Sequence, residues 1–369
     1  MSQAVNEILT SSSGVLARWT VERQVEMNGR KQSVMSCVAD GDPGGEGSWF
    51  DDWAQDTRGR IEALSVAVEF ASPGLFLSEI EWARSAFSAR GVPIAGLVQN
   101  LSALREVLAT RLPPQGRDET IRIVDRGLSM LSREVDPSTC LPPVEQRLGP
   151  SDHSLLLKQY LVAMLESRRD DAYQAVLGAV RSGVSISDVY RWVIDPAMVE
   201  IGHMWMNGEI GVGEEHFATS GTQHVMARLH DHFKAAPRRD KSVMCATVSG
   251  DLHEVGLRMV SDLFELSGWT SMYLGASMPA FALIESARRA RPTLIALSAK
   301  LVHHVREAAN TVRAIRDVPE LDDIPIMVGG RPFVTDLDLY LKVGADACAA
   351  SAWEAVEIGE RLTSGARSA

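Results

Sequence analysis

His253 stands in the stretch Ser249-Gly-Asp-Leu-His-Glu-Val-Gly256, with Asp251 two residues before it and Gly256 three residues after. A carboxylate at that distance can take the proton of one ring nitrogen, fix the tautomer and raise the basicity of the other. A metal-bound imidazole needs that support. Gly256 has no side chain, so a bulky group can pass close to the backbone there. Taken alone, the same residues read equally as a surface histidine in a turn. A second constellation is Trp205, followed by nine residues and then Glu215-His216. An indole offers a flat apolar face, and a carboxylate accepts hydroxyl hydrogen bonds. Those residues also read as a core tryptophan and as helix N-terminal acids, Glu214 and Glu215, favoured by the macrodipole. His303-His304 is a third candidate, but adjacent helix positions point in different directions, so it reads as a solvated face.

The elements around these residues follow from periodicity. After Pro237-Arg-Arg-Asp, short apolar runs at Ser242–Val248, Thr270–Leu274, Thr293–Ser298, Ile324–Val328 and Asp346–Ala349 alternate with helical patterns at 254–267, 279–290, 302–317, 334–343 and 352–363. Such alternation predicts parallel βαβ units and a doubly wound, five-stranded, Rossmann-like sheet over 240–369. In such sheets ligands bind beyond the strands' carboxyl ends, so the loops at 249–256, 298–302 and 329–332 should share one rim. Upstream, helical patterns at 154–167, 170–181, 186–203 and 213–234 predict a four-helix bundle over 151–236. A Pro-rich segment, 137–150, reads as a linker. Residues 49–140 read as a further helical domain, broken at Phe70-Ala-Ser-Pro-Gly, Gly91-Val-Pro and Pro113-Pro114. Residues 1–48 read as an N-terminal segment ending in a Gly-rich loop, 40–48.

Composition narrows the function. The 37 basic and 48 acidic residues leave a net charge of −11, which argues against direct nucleic-acid binding. No apolar run approaches the roughly 18 residues that span a bilayer, and no secretory signal is evident, so a cytoplasmic location is expected. Four dispersed cysteines, Cys37, Cys140, Cys245 and Cys348, form no CxxC pair and suit a reducing compartment.

Gly256 is followed by 41 residues and then Ser298; 28 residues separate Lys300 from Gly329-Gly330. The pattern Asp-x-His-x-x-Gly, then Ser-x-Leu, then Gly-Gly resembles the cobalamin-binding domain of methionine synthase, corrinoid methyltransferases and B12-dependent mutases. That resemblance implies His253 as the lower axial cobalt ligand, supported by Asp251. It places the displaced nucleotide tail beside Gly256, Ser298, Gly329 and Gly330. One departure is Lys300, where the family has leucine. The bundle's Trp-x9-Glu-His motif is similar to that of light-responsive adenosylcobalamin proteins, the B12-dependent MerR-type repressors. There it implies that Trp205 packs on the adenosyl group while Glu215 and His216 bond its sugar. Those repressors have a histidine after the tryptophan; here Met206 stands there, and His203 is the nearest substitute.

The chain shows no winged-helix DNA reader. Phe70-Ala-Ser-Pro-Gly-Leu-Phe76 and Ile80-Glu-Trp82-Ala instead look like the N-terminal helical domain of photocobilins, sensors that pair B12 with biliverdin. All nine histidines lie at or after His153, which excludes a histidine-ligated haem in that block. A bilin there would meet Arg84, Arg90 or Arg105, and Cys140 is either its attachment point or a free thiol. The other reading of the block is a dimerisation domain without chromophore. These resemblances lead to an expectation: a non-enzymatic, adenosylcobalamin-binding light sensor, with biliverdin as second chromophore. Its output would be a light-dependent homo-oligomer acting on a separate effector. The alternatives are a corrinoid methyl carrier of a methyltransferase system and a B12-sensing adaptor.

Overall fold

The computed structural model describes residues 3–27, 48–133 and 153–364. Cys37, Cys140, the linker at 137–150 and the glycine-rich stretch at 40–47 lie outside the described residues. The chain divides into two compact units. One comprises residues up to 136 with the short segments 301–306 and 335–343; the other comprises 137–300, 307–334 and 344–369.

The N-terminal unit is helical: α1 (Gln3–Ser11), α2 (Ser13–Met27), α3 (Ser48–Glu69), α4 (Pro73–Ala89), α5 (Ile94–Arg111) and α6 (Pro114–Leu131). Helices α1 and α2 lie in the segment expected only to lead into a loop. Helix α2 buries Thr20 and Gln24 beside Leu16 and Val21, so its inward face lacks the apolar stripe that marks a helix in sequence. Gln24, Thr57 and Asn100 form a buried polar cluster, with Asn100 Nδ2 donating to Gln24 Oε1 at 3.0 Å and to Thr57 Oγ1 at 2.9 Å. The expected breaks occur where proline and glycine stand. Pro73 occupies the first helical turn of α4, where a missing N–H costs nothing, and Pro114 is followed by a kink at Gln115 and Gly116 before α6 runs on. Gly91 supplies the positive φ that ends α4.

The second unit joins a helix bundle to the sheet. The bundle runs α7 (Ser154–Leu165), α8 (Arg169–Arg181), α9 (Ile186–Val189), a π turn (Tyr190–Ile194), α10 (Asp195–Met206) and α11 (Val212–Leu229). The π turn divides what the periodicity predicts as one helix. Pro196 has no N–H to donate and crowds the preceding turn, and the backbone widens just before it, Asp195 N bonding Tyr190 O.

The sheet comprises β1 (Ser242–Val248), β2 (Thr270–Met278), β3 (Leu294–Ser298), β4 (Ile326–Gly329) and β5 (Ala347–Ala349), all parallel, in the order β2-β1-β3-β4-β5. Helices α12 (Val255–Leu266), α13 (Ala280–Ala290), α14 (His304–Arg316), α15 (Arg331–Thr335), α16 (Leu339–Lys342) and α17 (Ala352–Ser364) make the connections. Two short helices, α15 and α16, replace the single one expected at 334–343. Asp336 Oδ1 accepts from Asp338 N at 3.1 Å, and this local turn competes with helix continuation. The order reverses between β1 and β3, so the loops after those strands flank the topological switch point.

The bundle's apolar core continues into α12 and α17 through Val255, Met259, Leu263 and Ala352. A buried polar tie reinforces it: Tyr190 Oη donates to Asp262 Oδ2 at 2.7 Å, and Arg258 Nε donates to Asp262 Oδ1 at 2.9 Å. Burial raises the Asp262 carboxyl, while Tyr190 and Arg258 pull it back down. Tyr190→Phe removes one donor from this carboxylate without changing ring packing. It is expected to cost about 1–3 kcal/mol, read as a lower urea midpoint of unfolding; an unchanged midpoint would mean the hydroxyl is dispensable.

Candidate functional site

Strand β1 delivers the chain to the rim and Gly250, at φ +83°, turns it back. Asp251 is fully buried in this turn. Its main chain is fixed first: Asp251 N bonds Val248 O at 3.1 Å, while Asp251 O accepts from Thr247 Oγ1 at 2.6 Å and from Ser277 N at 3.0 Å. Its carboxylate then accepts three N–H groups. Oδ1 takes His253 N at 3.0 Å and His253 Nδ1 at 2.8 Å; Oδ2 takes Lys300 N at 2.7 Å. The His253 side chain stays half exposed. With Nδ1–H held by a carboxylate, Nε2 carries the lone pair and is the nitrogen left to coordinate a metal.

The glycines divide by role. A Cβ at Gly256 would meet nothing within 4 Å, so the first turn of α12 borders open space next to His253. Gly330, at φ +115°, is different: a Cβ there would lie 2.1 Å from Ala299 O. Its smallness serves the crossing of two strand ends and leaves no slot of its own. A Cβ at Gly329 would come within 3.2 Å of Ala349 O. Ser298 ends β3, in register with Thr247 on one side and Gly329 on the other. The structure thus brings Asp251, His253, Gly256, Ser298, Gly329 and Gly330 to one rim.

The bundle residues sit on the turn between α10 and α11. Trp205 is partly exposed in the last turn of α10, whereas Met206 is buried. Glu214 caps α11 by accepting from Gly211 N, leaving Glu215 to bond Thr219 Oγ1 at 2.8 Å and His216 Nδ1 at 2.6 Å. The His216 side chain is largely exposed. His203 lies 3.8 Å from the buried Glu200 carboxylate.

Sequence reasoning missed the groups that hold the site. Glu254, next to His253, accepts from Gln223 Nε2 of α11 at 2.7 Å and from Tyr273 Oη of β2 at 2.6 Å, tying the bundle to the histidine loop. Trp353 Nε1 of α17 donates to Ser187 Oγ at 2.9 Å. No local spacing signals these pairs.

One expectation needs revising. His304 is buried rather than solvated, with its ring edge-on to that of His303 at 4.2 Å. Among the described residues no group of three or more His, Cys, Asp or Glu side chains is placed to hold a metal ion. In the N-terminal unit Arg84 already pairs with Glu81 and Arg105 with Asp125, both at 2.6 Å, while Arg90 is the C-terminal cap residue of α4. Burial pushes the Cys245 thiol up to about 12 and that of Cys348 up to about 11, so neither is a thiolate near neutral pH. No described helix is long and apolar enough to cross a membrane.

Residues 241–358 match the family model of the B12 binding domain, and residues 156–230 match a second B12 binding domain model that spans the bundle. All five strands of the sheet fall within the first of these matches. Among relatives, the dimethylamine corrinoid protein of Methanosarcina barkeri is 24% identical over 208 residues, 56% of this chain and 97% of the relative. Trimethylamine corrinoid protein 1 of Methanosarcina acetivorans is 23% identical over 181 residues, 48% of this chain and 83% of the relative. The solved structure of the Methanosarcina barkeri monomethylamine corrinoid protein aligns with a TM-score of 0.52 at 19% identity, covering 57% of this chain and 99% of that one. That likeness establishes the shared fold. Both family matches begin after residue 155.

Asp251→Asn keeps the shape of the dyad but weakens the acceptor behind Nδ1. Hydroxocobalamin affinity, followed by absorbance titration, is expected to fall about 10–100-fold; equal affinity would show that the carboxylate does not orient the ring.

Proposed function

We propose that this chain is a corrinoid carrier protein, in which His253 Nε2 would be the protein's ligand to the cobalt of a cobalamin-type cofactor. The observation that carries this reading is the buried Asp251 carboxylate on His253 Nδ1 beside the open space at Gly256. It presents the His253 Nε2 at a sheet rim, beside a glycine whose missing side chain leaves open space. Bound cobalamin supplies a cobalt whose upper organic ligand can be exchanged or lost. The chain itself binds, orients and shields. Asp251 keeps the ring's tautomer, Gly256 would leave room for a group beside the ring, and the bundle would shield the bound cofactor. The relatives named above are corrinoid proteins of methylamine systems, which favours exchange of a methyl group with a separate methyltransferase. The chain on its own then needs no catalytic residues.

Trp205 and Glu215 favour a second reading. Trp205 lies in the last turn of α10 and Glu215 in the first turn of α11, both partly exposed on either side of one connecting turn, and a tryptophan there suits packing on an adenosyl ligand better than an open path for methyl transfer. In that reading the protein retains adenosylcobalamin in darkness, loses the adenosyl group in light and changes its homo-oligomeric state toward a downstream effector. In that reading biliverdin would be a second chromophore in the N-terminal unit.

His253→Ala decides the shared part. The Co(II) form of the wild-type complex is expected to show nitrogen superhyperfine splitting from imidazole in its electron paramagnetic resonance spectrum. The variant is expected to lose that signature or the cofactor altogether; an unchanged spectrum removes His253 as ligand. The two readings then separate by illumination. Purified adenosylcobalamin complex that keeps one oligomeric mass in dark and light, yet accepts a methyl group from a methyltransferase, supports the carrier. A mass change on illumination supports the sensor.

A further inference from the structure

Glu254 follows His253 and occupies the N-cap position of α12, yet its side chain makes no cap hydrogen bond to that helix. Both carboxylate oxygens go elsewhere. Oε1 accepts from Gln223 Nε2 of α11 at 2.7 Å, and Oε2 accepts from Tyr273 Oη of β2 at 2.6 Å. Strand β2 is shaped to receive it. Cys245 pairs with Tyr273 but Ala246 pairs with Gly275, so Leu274 is an extra residue that bulges β2 beside β1. A bulge re-aims the side chains around it. Gly275, at φ +85°, completes the seat: a Cβ there would lie 3.5 Å from Glu254 Oε2. On α11, Gln223 stands at four-residue spacing from Thr219 and Glu215, and Thr219 Oγ1 donates to Glu215 Oε1 at 2.8 Å. One face of α11 thus runs from the turn that carries Glu215 to the loop that carries His253.

We propose that Glu254 is a positioning residue for the cobalt ligand, and that Gln223 makes the set of the His253 loop depend on the seat of α11. This rests on the corrinoid reading and adds a control on its axial ligand. Asp251 anchors the loop before His253; Glu254 anchors it after. A ring bracketed by two anchors has lost its freedom before a metal arrives, so binding does not have to supply that order. Because one donor to Glu254 belongs to the bundle, a shift of α11 loosens the imidazole without touching the metal.

The test uses the full chain with Gln223→Leu, Tyr273→Phe, Glu254→Ala and Glu254→Gln, each checked for folding by circular dichroism. Two quantities are read. One is the share of imidazole-ligated cobalt in the Co(II) cobalamin complex, from its nitrogen superhyperfine splitting. The other is amide hydrogen exchange over residues 249–256 in cofactor-free protein. Glu254→Ala is expected to lower the imidazole-ligated share, to weaken hydroxocobalamin binding about tenfold, and to speed exchange in the loop. Gln223→Leu and Tyr273→Phe should move all three in the same direction by less. Glu254→Gln, whose amide can still meet both partners, should recover most of the wild-type values. A lower melting temperature in Glu254→Ala, with the imidazole share and loop exchange unchanged, makes the residue merely structural and overturns the proposal. If Glu254→Ala does not fold, unchanged values in both Gln223→Leu and Tyr273→Phe do the same. Effects from Tyr273→Phe but none from Gln223→Leu overturn the dependence on α11. Wild-type protein without imidazole splitting removes the His253 reading itself; splitting that persists undiminished in the folded variants removes only the role of Glu254.

Discussion

One buried carboxylate organises the rim. Asp251 has no solvent to share its charge with, and its two oxygens are satisfied by the His253 amide, the His253 ring and the Lys300 amide. Burying a carboxylate is tolerable only with such complete hydrogen bonding. Removing any of the three donors therefore disturbs the other two. The carboxylate joins the loop after β1 to the loop after β3 across the switch point of the sheet. A ring that must meet a metal in a defined orientation is thereby positioned from behind, by groups that never touch the metal.

The bundle is connected to this loop by chemistry of the same kind. Gln223 of α11 and Tyr273 of β2 converge on Glu254, the residue immediately before the helix α12 on which the bundle's core rests. Four residues into α12, Arg258 and then Asp262 carry the tie to Tyr190. The bundle and the loop that carries His253 are thus joined by side-chain hydrogen bonds on either side of α12. This agrees with the family matches, which place one B12 binding domain model on the bundle and the other on the sheet.

Much of this was legible in the sequence, for identifiable reasons. Ser242–Val248 reads as a strand because its apolar run ends at glycine, and the structure starts and stops it at the same residues. The rim could be inferred because parallel βαβ units place all strand ends on one side. Asp251 and His253 are two residues apart, so their pairing is a local event. Lys300 N on Asp251 spans 49 residues and Gln223 on Glu254 spans 31, and no spacing rule reaches that far in a single sequence. The π turn was hidden because Pro196 near a helix start reads as an ordinary first-turn proline. Helix α2 was hidden because its inward positions include Thr20 and Gln24, and the partners of Gln24, Asn100 and Gly96 O, lie more than 70 residues away.

The segment between bundle and sheet has a consequence for dissection of the molecule. Ala236 N bonds Leu266 O and Arg239 N bonds Gly268 O, so the connecting backbone is stitched to the end of α12. Gly268, at φ +90°, sits so close that a Cβ would fall 2.4 Å from Pro237 O. A nick in this strap would leave two fragments still clasped through Tyr190, Gln223 and the shared apolar core. A sheet fragment expressed alone would instead expose Val255, Met259 and Leu263 to water and invite aggregation.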